Sequence, residues 1–220
     1  MSARVGEGDH RAARVGLASV LGGGVTDVAW MDQVHGCTVA LVGEATDPAP
    51  TCDGIISATQ GLGVAVTVAD CVPVLLASPH AVAAAHAGRP GVVADVAGRT
   101  VERLAHHSGD APSRVTAVIG PAIGACCYEV PAAMAADVEQ TVGGTASTTT
   151  WGTPSIDLVA GVVQQLQATG VRRILRAGGC TRCAGDRWFS HRASTGAEGR
   201  PSGRQAGVVA LPLLPPGSSR

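Results

Sequence analysis

The chain has 220 residues, a formal net charge of −1 and 45% hydrophobic residues, which supports a single packed domain over residues 1–220. The balanced charge and the scarcity of aromatic residues (three Trp, one Tyr, one Phe) argue against a nucleic-acid groove or an anionic membrane surface and favour a small-molecule substrate. All 16 basic residues are arginine, which excludes lysine chemistry such as a Schiff base, a P-loop lysine or a pyridoxal phosphate site and leaves arginine, backbone N–H groups and helix N-termini to hold anions.

Short apolar strands and amphipathic helices are predicted in turn along the chain. Strands are predicted at residues 37–42, 63–69, 72–77, 81–85, 115–119, 171–176 and 207–214. Helices are predicted at residues 11–21, 90–107, 131–142 and, after a cap at Thr153 or Ser155, up to Gly170. Residues 143–150 are low in complexity and predicted to be mobile, and residues 193–203 are predicted to form a flexible loop.

Three residues at or near the ends of β-prone runs are the main candidates for a functional site: His35, Cys71 and His86. One thiolate and two imidazoles suit a borderline-soft divalent metal and leave a fourth tetrahedral position for water or substrate. A nucleophilic Cys71 with His86 as its base is a rival interpretation. His35 alone could also be a buried structural imidazole and Cys71 alone an inert buried thiol, whereas the small residues around His86 allow another group to approach it closely.

The seven cysteines are an odd number, and the sequence shows neither a signal peptide nor an apolar stretch of about 18 residues. We therefore expect reduced thiols, a cytoplasmic location and no contact with a membrane. The run Cys180-Thr181-Arg182-Cys183 is a weak indication of a zinc ribbon, because Cys126-Cys127 has the wrong spacing for a second pair. Structural or incidental thiols are the favoured interpretation there.

A series of motifs in order along residues 10–210 resembles the laccase-domain family, whose members have been described as polyphenol oxidases, purine nucleoside phosphorylases with adenosine deaminase activity, and peptidoglycan editing factors. The motifs are Gln33-Val34-His35-Gly36, Asp53, Ala69-Asp70-Cys71-Val72-Pro73, His86-Ala87-Gly88, Gly120-Pro121-Ala122-Ile123-Gly124, Tyr128-Glu129-Val130, Asp157-Leu158, Cys180-Thr181, Phe189-Ser190-His191-Arg192 and Gly203-Arg204. The resemblance implies an α+β fold, a layered sandwich of mixed β-sheets flanked by helices.

The same resemblance implies that His35, Cys71 and His86 bind zinc, with copper less favoured, and that a purine nucleoside and phosphate are the substrates. The expected reactions are phosphorolysis at the glycosidic bond and deamination at purine C6. Candidates for catalysis are Asp70, Asp53 and Arg192, and candidates for binding substrate or phosphate are Arg14, Gln33, Arg89 and Arg204. The two aspartates are general acids or bases, groups that orient an imidazole, or turn carboxylates satisfied by backbone N–H groups.

Two departures from the family pattern favour one of the alternatives, a catalytically impaired purine-binding protein. Arg89-Pro90-Gly91 stands where the family has Trp-Arg-Gly, and the N-terminal family segment has no counterpart before Gly6. The alternatives are a peptidoglycan editing amidase, a copper-dependent polyphenol oxidase and a catalytically impaired purine-binding protein. The oxidase is least favoured, since its copper centres need roughly ten histidines and the chain has seven. A monomer or small homo-oligomer is expected.

Overall fold

The structure is a computed structural model that describes residues 2–5, 16–18, 20–196 and 198–213. These residues form a four-stranded, a six-stranded and a two-stranded sheet. The strands are β1 (Ser2–Val5), β2 (Asp27–Ala29), β3 (Val39–Leu41), β4 (Gly54–Ser57), β5 (Leu62–Val68), β6 (Val72–Ala77), β7 (Val82–Ala87), β8 (Thr116–Ile119), β9 (Ala146–Thr148), β10 (Pro154–Ile156), β11 (Arg173–Arg176) and β12 (Arg204–Ala210).

The two larger sheets contain both parallel and antiparallel pairs and face each other across an apolar layer. The strand order is β1-β12-β5-β2 in one and β11-β8-β6-β7-β4-β3 in the other. Strand β7 is buried along its whole length and alternates between two cores. Ala83 and Ala85 pack toward the helices, whereas Val82 and Ala84 pack toward β5 of the facing sheet. The next residue on the sheet-facing side is His86, which is thereby directed into the layer between the sheets.

Helices cover the opposite face of the six-stranded sheet. They are α1 (Arg89–Val93), α2 (Val96–Ser108), α3 (Ala132–Thr141) and α4 (Leu158–Ala168), with a 3₁₀ turn at Pro112–Arg114, and a further short helix, α5 (His191–Thr195), precedes the last strand. The apolar stripes of the first four helices pack into one core with that sheet. Among the described residues, no helix is long and apolar enough to cross a membrane. The expected sandwich of mixed sheets with helices is confirmed.

The helix predicted at residues 90–107 is two helices, because Asp95 interrupts it. Asp95 adopts the left-handed conformation with φ of +59°, and its carboxylate accepts a hydrogen bond from the backbone N–H of Gly98 at 3.2 Å. The aspartate therefore caps a new helix instead of continuing the first one. Of the helix predicted at residues 11–21, residues 16–18 and 20–21 are helical, whereas residues 11–15 and 19 lie outside the described residues.

Four predictions in the second half of the chain are wrong. Residues 143–150 are ordered, because β9 pairs with β10 and the Glu139 carboxylate accepts hydrogen bonds from the backbone N–H groups of residues 144–146. Helix α4 is capped by Asp157 rather than by Thr153 or Ser155. The predicted loop at residues 193–203 begins inside α5, and the last strand starts at Arg204 rather than residue 207.

Candidate metal centre

His35, Cys71 and His86, here called the His–Cys–His triad, converge from three separate parts of the chain. His35 lies in the loop between β2 and β3, Cys71 precedes β6, and His86 is on β7. Strands β6 and β7 are antiparallel, and Val72 pairs with Ala87, which brings Cys71 to the end of β7 where His86 lies. The two imidazole rings approach edge to face, with centroids 4.6 Å apart.

The spacing of the donor atoms fits a shared metal ion. The Nε2 atom of His35 is 3.8 Å from the Sγ atom of Cys71, and one donor atom from each residue lies within 4.8 Å of the others. Zinc bonds of about 2.0 Å to nitrogen and about 2.3 Å to sulfur imply a nitrogen-to-sulfur distance of about 3.6 Å in a tetrahedron. The His35–Cys71 distance therefore lies close to the value for zinc, and three donors would leave the fourth position to another ligand.

One buried carboxylate positions both histidines of the triad. Oδ1 of Asp53 lies 2.8 Å from Nδ1 of His86, which leaves Nε2 of that ring for a metal. The same carboxylate accepts hydrogen bonds from the backbone N–H groups of His35 at 2.9 Å and Gly36 at 2.6 Å. These bonds stabilise His35 in a left-handed conformation with φ of +61°, which is uncommon for a residue other than glycine. Asp53 itself is fully buried.

Gly88 provides the space in which the triad assembles. A Cβ atom at this position would lie 2.8 Å from Cδ2 of His35 and 3.1 Å from Sγ of Cys71. The first distance is shorter than real Cβ contacts, so a larger residue would push the His35 ring away. The glycine of the His86-Ala87-Gly88 motif is thus explained by a close approach of side chains.

Electrostatics disfavour a free thiolate at Cys71. Burial raises the pKa of the Cys71 thiol to about 11, the neighbouring carboxylate of Asp70 adds to the increase, and the Arg204 guanidinium opposes it. Burial also lowers the pKa of His86, against the effect of its hydrogen bond to Asp53. At neutral pH the imidazole is a neutral ligand, whereas the thiol needs a cation to lose its proton. This weakens the interpretation of Cys71 as a free nucleophile.

Asp70 connects the triad to the following loops. Its backbone is left-handed, with φ of +88°. Its Oδ1 atom accepts a hydrogen bond from the Thr181 hydroxyl at 2.5 Å, and its Oδ2 atom accepts one from the backbone N–H of Arg192 at 2.7 Å. Its backbone carbonyl accepts a further bond from the N–H of Ile123 at 2.9 Å. Both carboxylate oxygens are therefore engaged with protein groups.

Three of the predicted arginines lie near the triad or near the neighbouring Tyr128. The Arg204 guanidinium lowers the pKa values of both Cys71 and His86, so it lies within electrostatic reach of both ligands. Arg192 lies over the ring of Tyr128, with Cζ 5.3 Å from the centroid, and its Nη1 donates to the carbonyl of Glu129 at 2.8 Å. Burial raises the pKa of Tyr128, while Arg89 and Arg192 oppose the increase. The three guanidinium groups therefore add positive charge near Cys71, His86 and Tyr128.

Tyr128 is a site residue to which the sequence analysis gave no role. It is half-buried, and its pKa responds to Cys71 as well as to the two arginines, which places the phenol beside the triad. Two signals were available in the sequence. Tyr128 is the single tyrosine of the chain, and it belongs to one of the motifs that carry the family resemblance.

Two other candidates for substrate binding have different outcomes. The side-chain amide of Gln33 donates to the backbone carbonyl of Thr67 at 2.8 Å and accepts from its N–H at 2.9 Å. The oxygen and the nitrogen of the amide therefore both bond the loop between β2 and β3, which carries His35, to β5. Arg14 lies outside the described residues.

A second group of potential metal ligands, the four-cysteine cluster, consists of Cys126, Cys127, Cys180 and Cys183. Its four sulfur atoms lie within 4.8 Å of one another. The sequence analysis interpreted these residues as structural or incidental thiols, because Cys126-Cys127 lacks the spacing of a zinc-ribbon pair, but the fold brings the two pairs together from different turns. The sequence distance within a pair does not fix how close two separate turns lie in space.

Comparison with known proteins identifies the class of protein to which this fold and site belong. Residues 6–212 match the family described as multi-copper polyphenol oxidoreductase laccase, and the chain belongs to this family. It is similar to "Purine nucleoside phosphorylase ORF3" of Streptomyces griseus, with 46% identity over 214 residues, 95% of this chain and 82% of the relative. It is also 42% identical over 209 residues to "Purine nucleoside phosphorylase BQ2027_MB2173C" of Mycobacterium bovis, which covers 92% of this chain and 81% of the relative.

Solved structures share the fold. The crystal structure of the Bacillus licheniformis hypothetical protein YfiH superposes with a TM-score of 0.77 and 28% identity, covering 91% of this chain and 80% of the other. The crystal structure of YlmD from Geobacillus stearothermophilus superposes with a TM-score of 0.76 and 28% identity, covering 91% of this chain and 79% of the other. The family resemblance and the fold predicted from the sequence are confirmed.

Proposed function

We propose that the protein is a purine nucleoside phosphorylase that acts at the His–Cys–His triad. The observation that carries this proposal is the convergence of three metal-ligand side chains with three arginines that can bind phosphate. Relatives at 46% and 42% identity are named purine nucleoside phosphorylases. In this reaction an oxygen of phosphate attacks C1′ of the nucleoside, and the free purine and pentose 1-phosphate are the products.

The triad would hold a zinc ion through His35, Cys71 and His86, and zinc supplies a Lewis acid that polarises a substrate oxygen or nitrogen. One sulfur and two nitrogens with a fourth position available match a catalytic zinc site better than the copper centres of a laccase. Of the other described histidines, His80 is paired with Asp110 at 3.1 Å, His106 and His107 lie in the last turn of α2, and His191 begins α5. Copper is therefore the less favoured metal here.

The arginines of the site bind and orient phosphate in this proposal. Arg204, Arg192 and Arg89 present guanidinium groups to one region, and guanidinium forks match the geometry of phosphate oxygens. Holding the dianion next to the nucleoside reduces the entropic cost of bringing two substrates together. Their charge also stabilises the negative charge that the attacking phosphate brings into the site.

Asp53 and Asp70 act as positioning residues in this proposal. Asp53 orients the imidazole of His86 and the backbone of His35, and its oxygens have no free direction toward substrate. Asp70 holds Thr181 and the start of α5, which carries Arg192. Among the alternatives considered for these aspartates, the hydrogen bonds favour orientation over proton transfer.

Deamination of adenosine at purine C6 is a second reaction that we propose for the same site. The feature that favours it is the fourth position that three protein ligands would leave on a metal, where a water molecule could be activated. Deamination consumes water rather than phosphate, so the two reactions separate by their dependence on phosphate. Adenosine would give inosine without phosphate, and adenine with phosphate.

The experiment incubates the purified protein with adenosine or inosine, with and without phosphate, and separates the products by chromatography. We expect free base and pentose 1-phosphate in the phosphate arm, and loss of both activities in Cys71→Ser together with loss of the metal. Cys37→Ser serves as the control, since that thiol belongs to neither metal-ligand group.

Three outcomes contradict the proposal. Inert nucleosides with cleavage of a wrongly built muropeptide would assign a peptidoglycan editing amidase. Oxidation of phenols by the copper-loaded protein, again with inert nucleosides, would assign a polyphenol oxidase. Purine binding without turnover would assign a binding protein, for which the Arg89-Pro90 departure would be the first place to look.

A further inference from the structure

Two turns far apart in the chain meet at the four-cysteine cluster. Cys126 and Cys127 lie in a turn in which the N–H groups of residues 127 and 128 both donate to the carbonyl of Gly124. Cys180 and Cys183 lie in a second turn, closed by a bond from the N–H of Ala184 to the carbonyl of Cys180 at 3.0 Å. Residues 122 and 180 form a parallel bridge between the two segments. The backbone thus holds both turns in place independently of the sulfur atoms.

The sulfur distances fit one tetrahedral ion. Sγ of Cys183 is 3.8 Å from Sγ of Cys126 and 3.4 Å from Sγ of Cys127, and the whole set lies within 4.8 Å. Zinc bonds to sulfur of about 2.3 Å imply sulfur-to-sulfur distances of about 3.8 Å in a tetrahedron. A disulfide requires about 2.05 Å, and all four cysteines are free thiols.

We propose that Cys126, Cys127, Cys180 and Cys183 bind one zinc ion as four thiolates, at a site separate from the His–Cys–His triad. Four protein ligands leave no position for water or substrate, which is the arrangement of structural zinc sites. Four sulfur donors also select a borderline-soft ion over magnesium or calcium. The cluster does not depend on the reaction at the triad, so the proposal stands or fails independently of the proposed function.

The four-cysteine site braces one wall of the triad. Thr181, which follows Cys180, donates its hydroxyl to the carboxylate of Asp70, the residue before the triad ligand Cys71. Its N–H donates to the carbonyl of Ala122 at 3.0 Å. On the other turn, Tyr128 follows Cys127 and lies beside the triad. Zinc bound by the four sulfurs would fix both turns and, through them, Thr181 and Tyr128.

The primary experiment counts metal in the full-length protein, expressed with zinc and purified under reducing conditions. We expect one zinc ion fewer per chain in Cys183→Ser than in the wild type and in the matched control Cys37→Ser, which gives counts of one, two and two when the triad is also loaded. Cys183 is the exposed member of the cluster, so its substitution leaves the core intact. Cys126→Ser is the second variant, in case the first does not fold.

X-ray absorption spectroscopy of the wild type measures the number of sulfur ligands per zinc ion without any variant. One tetrathiolate ion and one ion with a single sulfur average between two and three sulfur atoms per zinc, at about 2.3 Å. One zinc per chain with a single sulfur ligand would overturn the proposal. So would two zinc ions retained in both Cys183→Ser and Cys126→Ser, or disulfides among the four cysteines in the protein purified without reductant.

Hydrogen exchange tests the bracing role. We expect the amides of residues 121–128 and 180–184 to exchange faster in Cys183→Ser than in the wild type, while those of the core strand β7 stay unchanged. Equal exchange of both turns in the two proteins would overturn the bracing role.

Discussion

The His–Cys–His triad and the four-cysteine cluster both gather thiols, but they differ in what surrounds the donors. The triad mixes one sulfur with two ring nitrogens, has a fully buried carboxylate behind it and arginines beside it. The cluster contains sulfur alone and lies on two surface turns. The triad offers three potential ligands, which would leave a fourth position open, whereas the cluster offers four, enough to complete a tetrahedron.

The two regions differ in the features that distinguish a reactive metal site from a structural one. Reactive metal sites need neutral imidazoles oriented by hydrogen bonds and an open position, and both come from the layer between two sheets. Structural zinc sites need four protein ligands, and cysteines on two turns can provide them. Thr181 connects the two regions through its hydrogen bond to Asp70.

The largest effect is expected from changing the buried Asp53 carboxylate, which contacts two residues of the triad. Asp53→Asn keeps the size of the side chain but removes the charge that orients His86 and His35. We expect zinc affinity at the triad to fall by about 10- to 100-fold, with phosphorolysis falling in parallel. Zinc titration against a competing chelator measures this.

Asp32→Asn is the control, because its exposed carboxylate contacts Thr51 instead of the triad. The metal content of the four-cysteine cluster should not change in either variant. Equal zinc affinity of Asp53→Asn and the wild type would mean that the carboxylate does not hold the triad.

A smaller effect is expected from closing the space at Gly88. Gly88→Ala puts a Cβ atom 2.8 Å from the His35 ring, which must move by several tenths of an ångström. Since a displacement of 1 Å can cost about 100-fold, we expect kcat/KM to fall by about tenfold. Steady-state kinetics measure the change.

Gly143→Ala is the matched control, because a Cβ atom there meets nothing within 4 Å. A Gly88→Ala enzyme as active as the Gly143→Ala enzyme would contradict the packed geometry around His35.

The smallest expected effect comes from removing a positive charge near the triad while all three potential metal ligands remain. Arg204→Gln removes one exposed guanidinium near Cys71 and His86 without removing a ligand. We expect the KM for phosphate to rise by about two- to fivefold, because an exposed charge contributes about 0.2 to 1 kcal/mol. The zinc content should stay constant.

Arg103→Gln, on the exposed face of α2, is the control for lost positive charge. Added salt should reduce the difference in KM for phosphate between the Arg204→Gln enzyme and the wild type, because salt screens the charge of the guanidinium. A change in KM for the nucleoside alone would contradict a role in phosphate binding.

Residue type and strand pattern were enough to predict part of the site. The β-prone runs located β5, β6 and β7, and the ligand types of His35, Cys71 and His86 indicated an open metal site. These features are local, because alternation and donor chemistry are properties of short segments.

The parts that could not be predicted depend on contacts between distant segments. Asp53 reaches His35 and His86 across 18 and 33 residues of sequence, and no local pattern encodes that. The four-cysteine cluster joins turns more than 50 residues apart. The hairpin of β9 and β10 was missed because its threonines looked like a low-complexity loop, although each strand completes the hydrogen bonds of the other.

The most direct test of the account is a crystal structure of the zinc-loaded protein with diffraction measured on both sides of the zinc absorption edge. We predict an anomalous peak bonded to one nitrogen each of His35 and His86 and to Sγ of Cys71. A zinc-loaded, active crystal with no peak among these three donor atoms would contradict the central claim.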